Sequence, residues 1–287
     1  MNKPLRMMAR ATTALAMCLL LTSCGTKIGY NLVDRMIMWR IDGYLDLDRQ
    51  QKALLKDQVK TLHQWHRVEV LPQHINQLKA VSAAIESDTL DYALVDRTTQ
   101  DLIQIWQSAM AQLSPIAADV LIDLRSEQID HLLRKLRDDI ADDEEALVER
   151  TQQERIEKRQ ENLEDFFDKW WGSLRDDQKL RIEQTASEVI DLSAMELQHR
   201  RQWLQKFEAA LEMRHGPQAD FQSQIDALFI KPEQWWSEQY RSANKANDRL
   251  RIQLTVDLAA SLDAKQKDHL LDELADLTED LQDLVED

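Results

Sequence analysis

The sequence predicts an all-α protein, an elongated multi-helix bundle, and three observations carry that reading. Apolar residues recur at spacings of three and four, and no run alternates with period two. The positions between them are filled mainly by Ala, Leu, Glu, Gln, Lys and Arg, which favour helix. Glycine and proline are scarce, five of each in 287 residues. Pro suits the first turn of a helix and Gly the residue just past its end, and beyond the leader most of them stand where one helical pattern stops and another starts.

Taken in order, Tyr30 to Gly43 is predicted as a first helix, with Leu32, Met36, Ile37, Trp39 and Ile41 as its apolar surface. Asp48 opens a long helix to Leu71, and Pro72 opens the next, to about Glu86. The polar corner Ser87-Asp88-Thr89 leads into a helix ending at Leu113. Ser114-Pro115 reads as an N-cap followed by an N1 proline, so a short helix is expected over Ile116–Asp123. Ser126 starts a helix predicted to run with little interruption to Trp171. Its stretch from Asp142 to Asp165 is nearly all charged or amide, the pattern of an exposed helix face. Gly172-Ser173 breaks it. A single long helix is then expected from Asp176 to His215, Pro217 and Pro232 open two more, and Leu262-Asp263 opens the last. Leu270, Leu274, Leu277, Leu281 and Leu284 form one stripe of that final helix.

One pattern recurs: Leu, three residues, Gln, three residues, then Leu or Ile. Its copies are Leu47/Gln51/Leu55, Leu124/Gln128/Leu132, Leu174/Gln178/Ile182 and Leu262/Gln266/Leu270. The second and fourth also share Asp-His-Leu-Leu, at Asp130 and Asp268. The spacing is that of a helix start. In the first and fourth copies an Asp (Asp48, Asp263) accepts from the N3 amide while the Gln reaches back to the cap. Copies two and three have Arg at that place, which predicts either caps from Ser126 and Asp176 or poor caps. The repetition divides the chain into two pseudo-repeated helical halves, 30–143 and 170–287, joined by a charged connecting helix, 144–169.

The first 23 residues read as a cleaved signal peptide. Lys3, Arg6 and Arg10 precede an eleven-residue run, Ala11 to Leu21, too short for a transmembrane helix of about 20 residues. The ending Leu21-Thr22-Ser23-Cys24 resembles a bacterial lipobox. That resemblance implies cleavage before Cys24, acylation of its sulfur as a membrane anchor, and a short tether over 24–29. Gly25, where Asp would favour inner-membrane retention, implies an outer-membrane protein facing the periplasm.

Charge excludes some partners. The leader takes three of the 36 basic residues and none of the 52 acidic ones, leaving a net charge of −19. A surface this acidic argues against nucleic acid, where Lys and Arg must neutralise phosphates, and equally against broad adsorption to anionic lipid. Cys18 leaves with the leader and Cys24 is used by the anchor, so the fold is expected to hold without a disulfide.

Trp65, His66, Arg67 and Glu69 form the densest cluster of functional residue types, with His63 and His74 on either side. Two functional readings follow, a binding site and a general base or metal site oriented by Glu69. The structural reading is a helix end, with Trp65 buried and His66 and Arg67 answering the last carbonyls. A metal site needs three or four converging ligands, and an i, i+3, i+6 series drifts around a helix. No Gly-rich phosphate loop, Gly-x-Ser-x-Gly elbow or Cys nucleophile is present, and no motif calls for a cofactor. The eight tryptophans, including the pairs Trp170-Trp171 and Trp235-Trp236, are expected in the core.

The Leu-x-x-x-Gln pattern resembles a motif of the Spy/CpxP group of periplasmic helical chaperones, over a few residues per copy. More broadly, the lipobox, Tyr30, Leu32 and Trp39, Tyr44-x-x-Leu47-x-x-x-Gln51, Trp65-His66-Arg67-x-x-x-Leu71-Pro72 and Trp171-Gly172-x-Leu174-x-x-x-Gln178 resemble a family of proteobacterial lipoproteins known only as a domain of unknown function. That resemblance implies an envelope lipoprotein and supplies no activity; the leading reading is a lipid-anchored, non-enzymatic envelope protein that binds or scaffolds a protein partner, chaperone-like client handling being one form of it. The alternative is an envelope enzyme or metal protein built on the Trp65–Glu69 cluster.

Overall fold

A computed structural model describes residues 26–286; the expected signal peptide, Cys24 and Gly25 lie outside the described residues. Every regular element among them is helical, as the sequence predicts: α1 (Thr26–Leu45), α2 (Arg49–Trp65), a π-helical turn (His66–Val70), α3 (Leu71–Glu86), α4 (Tyr92–Ile122), α5 (Ser126–Glu149), α6 (Gln152–Trp171), α7 (Asp176–Glu188), α8 (Ser193–Glu212), α9 (Gln218–Ile230), a 3₁₀ turn (Pro232–Trp235), α10 (Glu238–Ala260) and α11 (Ala264–Glu286).

The bundle is organised around two hydrophobic cores, each holding one pair of glutamines from the repeated pattern. The first core draws on Leu55 and Val59 of α2, Ala118 and Leu121 of α4, Leu132 of α5, Phe207 of α8 and Phe221 and Ile225 of α9. The second draws on Leu71 and Ile75 of α3, Phe167, Trp170 and Trp171 of α6, Ile182 of α7, Leu254 of α10 and the leucine stripe of α11. The cores therefore exchange helices between the two halves read in the sequence. α3 packs on α11 and α9 packs on α4. α1 reaches both, with Tyr30 in the second core and Leu45 in the first.

The glutamines explain why the pattern recurs. Gln51 and Gln128 bond each other amide to amide, at 3.3 and 2.9 Å, and Gln178 and Gln266 do the same, at 3.1 and 2.9 Å. Each Oε1 also accepts the cap N–H of its own helix, from Asp48, Arg125, Arg175 and Asp263 respectively. The amide nitrogens reach into the partner's corner: Gln128 to the carbonyls of Leu45 and Asp46, Gln266 to that of Ser173. The caps of copies two and three are not Ser126 or Asp176; the other expectation holds, cap residues whose own side chains give no bond to a backbone N–H of the helix start. They are Arg125 and Arg175, whose guanidiniums instead meet the Asp caps opposite, Asp48 at 2.8 Å and Asp263 at 3.6 Å. Two helix starts thus lock head to head in each core, with an Asp cap facing an Arg cap.

Several helix boundaries differ from the sequence reading because distant residues decide them. α1 starts at Thr26, so positions 26–29 are helical rather than tether, and it passes through Gly43 to close on Asp46, whose φ of 47° makes it the left-handed residue after the helix. α4 runs unbroken through Pro115, because Ser114, fully buried, gives its hydroxyl to Asp226 of α9 at 2.6 Å instead of capping a new helix. The charged stretch is cut at Arg150, where Thr151 and Glu154 form a capping box for α6. The helix expected over Asp176–His215 breaks at residues 189–192. There Asn247 of α10, buried, accepts the N–H of Ile190 and donates to its carbonyl, both at 2.9 Å.

Candidate functional site

Two places concentrate functional side chains: the Trp65–Glu69 cluster and a cleft that the sequence did not single out.

The cluster is not a helix end. Pro72 has no N–H for the carbonyl four residues back, and its ring crowds that carbonyl. The chain widens by one residue just before it, so Leu71 N–H bonds the carbonyl of His66, and α2 continues into α3 through this π turn. The widened turn presents His66 to Tyr30 of α1, whose hydroxyl lies 3.1 Å from His66 Nδ1. Arg67 stacks over the same ring at 5.6 Å. His63 packs against it at 4.3 Å and turns its Nδ1 to Asp34 at 2.6 Å. His74 lies behind, its ring 6.4 Å from that of His66.

Burial governs the electrostatics here. It pulls His66 down to about 4, helped by the proximity of His74 and His63, and lowers His74 and His63 as well, the latter against the pull of Asp34. It pushes the Tyr30 hydroxyl up to about 12. The imidazoles are therefore neutral at neutral pH.

Of the four residues singled out, the structure joins His66 and Arg67 to Tyr30. Trp65 is half-buried and belongs to neither core, which corrects the expectation that it is buried. Glu69 is exposed, and no hydrogen bond or ion pair ties its side chain to the histidines among the described residues. The general-base reading that gave Glu69 an orienting role loses its geometry. Among the described residues no group of three His, Cys, Asp or Glu side chains is placed to hold a metal ion.

The cleft, a cavity of about 300 Å³, opens between α5, α6, α8 and the 3₁₀ turn. Its aromatic lining is fixed from behind. Trp203 stacks on Phe207 at 5.0 Å and gives its N–H to the carbonyl of Leu228. Trp236 meets Tyr240 edge-on at 5.0 Å, and Lys206 sits over the Trp235 ring at 5.0 Å.

Its charged lining is equally tied. Arg155 bonds Asp191 at 2.6 Å, Arg159 donates to the carbonyls of Ala186 and Val189, and Arg200 pairs with Asp143. The charges of the connecting stretch are thus partly structural. They hold α6 against the break between α7 and α8, where the sequence reading had them facing solvent.

The tryptophans divide accordingly. Trp170 and Trp171 are both core, Trp203, Trp235 and Trp236 line the cleft half-buried, and Trp39 stands out in solvent. The signal available in the sequence was the Trp235-Trp236 pair together with arginines of the charged stretch. The break at residues 189–192, which brings them together, was not visible.

Fold and sites together define an all-α bundle without a recognisable catalytic constellation among the described residues. The chain belongs to DUF6279, a family of unknown function whose pattern matches residues 43–241. That match takes in the Trp65–Glu69 cluster and the cleft, and ends before Gln266. No curated protein and no solved structure matches the chain.

Proposed function

We propose that this is a lipid-anchored, non-enzymatic binding or scaffolding protein of the cell envelope, held to the outer membrane through Cys24, facing the periplasm, with the Trp203–Trp235–Trp236 cleft as the place where it takes a protein partner. The observation that carries the reading is the cleft itself. Three indoles and several guanidiniums, already fixed by their own neighbours, line a cavity at the lower end of the roughly 300–1,000 Å³ typical of binding pockets. Side chains held in place before binding lose little freedom when a ligand arrives. Indole and guanidinium are the groups most often found at the centres of protein interfaces. The leader and Cys24 support the compartment; the net negative charge supports a partner other than nucleic acid.

The test is photo-crosslinking in cells from Gln202, which lines the cleft, alongside a probe at Val68 beside the histidine cluster. A discrete protein adduct from Gln202, lost on Trp236→Ala with the fold intact, is the expected result. An adduct from Val68 alone moves the binding site to the histidine cluster, and blanks at both positions in folded, anchored protein overturn the reading.

A further inference from the structure

α1 carries an apolar stripe that nothing in the bundle covers. Leu32, Met36 and Trp39, spaced i, i+4 and i+7, share one face of the helix and are 37, 64 and 77% exposed. The helix also departs from the acidity of the rest of the chain. It holds Lys27, Arg35 and Arg40 against Asp34 and Asp42, and both acids are engaged within the bundle. Asp34 lies 2.6 Å from Nδ1 of the neutral His63 ring and keeps its charge, while Asp42 accepts the N–H of Leu47 at 3.1 Å and pairs with Lys52 at 3.0 Å. Arg35 is left exposed on the side of the stripe.

We propose that this face lies on the membrane to which the chain is anchored, with Leu32, Met36 and Trp39 entering the interface and Arg35 meeting anionic headgroups. The proposal rests on the anchoring of Cys24. Cys24 is two positions before Thr26, a separation of at most about 7 Å, so α1 begins at the bilayer surface. Trp39 is about 20 Å further along the helix axis. An acyl chain at one end and an indole at the other meet the same leaflet when the helix lies along it. α1 is not a spanning segment, since no helix among the described residues is long and apolar enough to cross a membrane. An apolar face bearing Trp, flanked by Arg, is the pattern of a helix that lies in the interface plane, where Trp is favoured at the boundary.

The test separates the helix from the anchor. The chain from residue 24 onward, without the leader and with Cys24→Ser, is floated with vesicles of mixed phosphatidylethanolamine and phosphatidylglycerol, as is the same chain with Met36→Asp added. The unlipidated chain is expected to co-float, and Met36→Asp to lower the bound fraction by roughly tenfold with an unchanged melting temperature. Trp39→Phe is expected to remove the blue shift in emission that accompanies binding. Failure of the Cys24→Ser chain to float, or floating unaffected by Met36→Asp, overturns the proposal. So does a Met36→Asp-sensitive dimer in sedimentation that stays off vesicles, because a second copy then covers the face. Mass spectrometry of the N-terminal peptide from cells reads acylation of Cys24 separately, so the anchor can fail while the helix contact stands.

Discussion

Gln178 and Gln266 lie amide to amide in the second core, Nε2 of each donating to Oε1 of the other at 3.1 and 2.9 Å. Both are almost completely buried. A buried amide is stabilising only while its donors and acceptors are met, and here each oxygen and nitrogen has at least two tasks, Gln266 Oε1 also accepting from Arg175 at 2.7 Å. Oxygen caps its own helix and accepts from the partner; nitrogen answers the partner's oxygen and an atom of the partner's corner. One residue type at one spacing therefore starts a helix and docks it to another.

Gln178→Ala is expected to destabilise the protein by about 2–3 kcal/mol, because it leaves the Arg175 N–H and one N–H of Gln266 Nε2 short of an acceptor in a dry site. Gln51→Ala at the first pair, where Gln51 is half-buried and water can replace it, is expected to lose about 1 kcal/mol. Urea midpoints at constant slope measure both. Equal losses would mean that burial does not set the strength of the pair.

The histidine joint makes stability fall with acid. His66 has a folded value of about 4 against 6.5 in an ordinary setting, so below 6.5 the unfolded chain takes up a proton that the fold refuses. The contribution is full above that point, declines as pH falls, and stops changing below about 4. Between about pH 7 and about pH 5 the loss from His66 alone is about 2 kcal/mol, and His63 and His74, lowered likewise, steepen it. Urea melts at the two pH values should show the loss, and His66→Gln should reduce it. A pH-independent midpoint in wild type would contradict burial as the cause.

Two glycines should respond oppositely to Ala. Gly172 has φ of 73° and ψ of −162°, a region open to glycine almost alone, and a Cβ there comes within 3.4 Å of the His269 ring. Gly172→Ala is expected to lose about 1–3 kcal/mol. Gly43 sits inside α1 with open space where a Cβ would be. Gly43→Ala is therefore expected to gain about 1 kcal/mol. Thermal melts of the two variants should move in opposite directions.

The sequence was most legible where structure is decided locally. Apolar periodicity and sparse Gly and Pro give an all-α chain, and Asp48 with Gln51 gives a capping box that the structure contains. It was least legible where a distant side chain decides. Ser114-Pro115 has every local mark of a helix start, yet the Ser114 hydroxyl is claimed by a carboxylate 112 positions away. His66 showed its chemistry in the sequence but not its partner, since Tyr30 lies 36 positions upstream. Local spacing put Glu69 beside it, and the π turn separates them. The cleft was hidden for the same reason, being assembled from several segments around a break in what reads as one helix.

That break should be the most sensitive point of the cleft. Asn247 is 1% exposed and holds both backbone groups of Ile190, at 2.9 Å each. The turn it fixes carries Asp191, which holds Arg155 on α6 and accepts the N–H of Ser193 at the start of α8. Asn247→Leu keeps the volume but removes both bonds, and is expected to lose about 2–4 kcal/mol, more than one unmet bond. Asn247→Asp keeps an acceptor for the Ile190 N–H, gives up the donor and brings a charge into a dry site, so it should also destabilise. If the turn positions the cleft, hydrogen exchange at the Ile190 amide should rise in Asn247→Leu, and crosslinking from Gln202 should fall at temperatures where the variant is still fully folded. Faster exchange with crosslinking unchanged would show that the bracket serves stability alone and that the cleft is held by Trp203, Trp236 and their own neighbours.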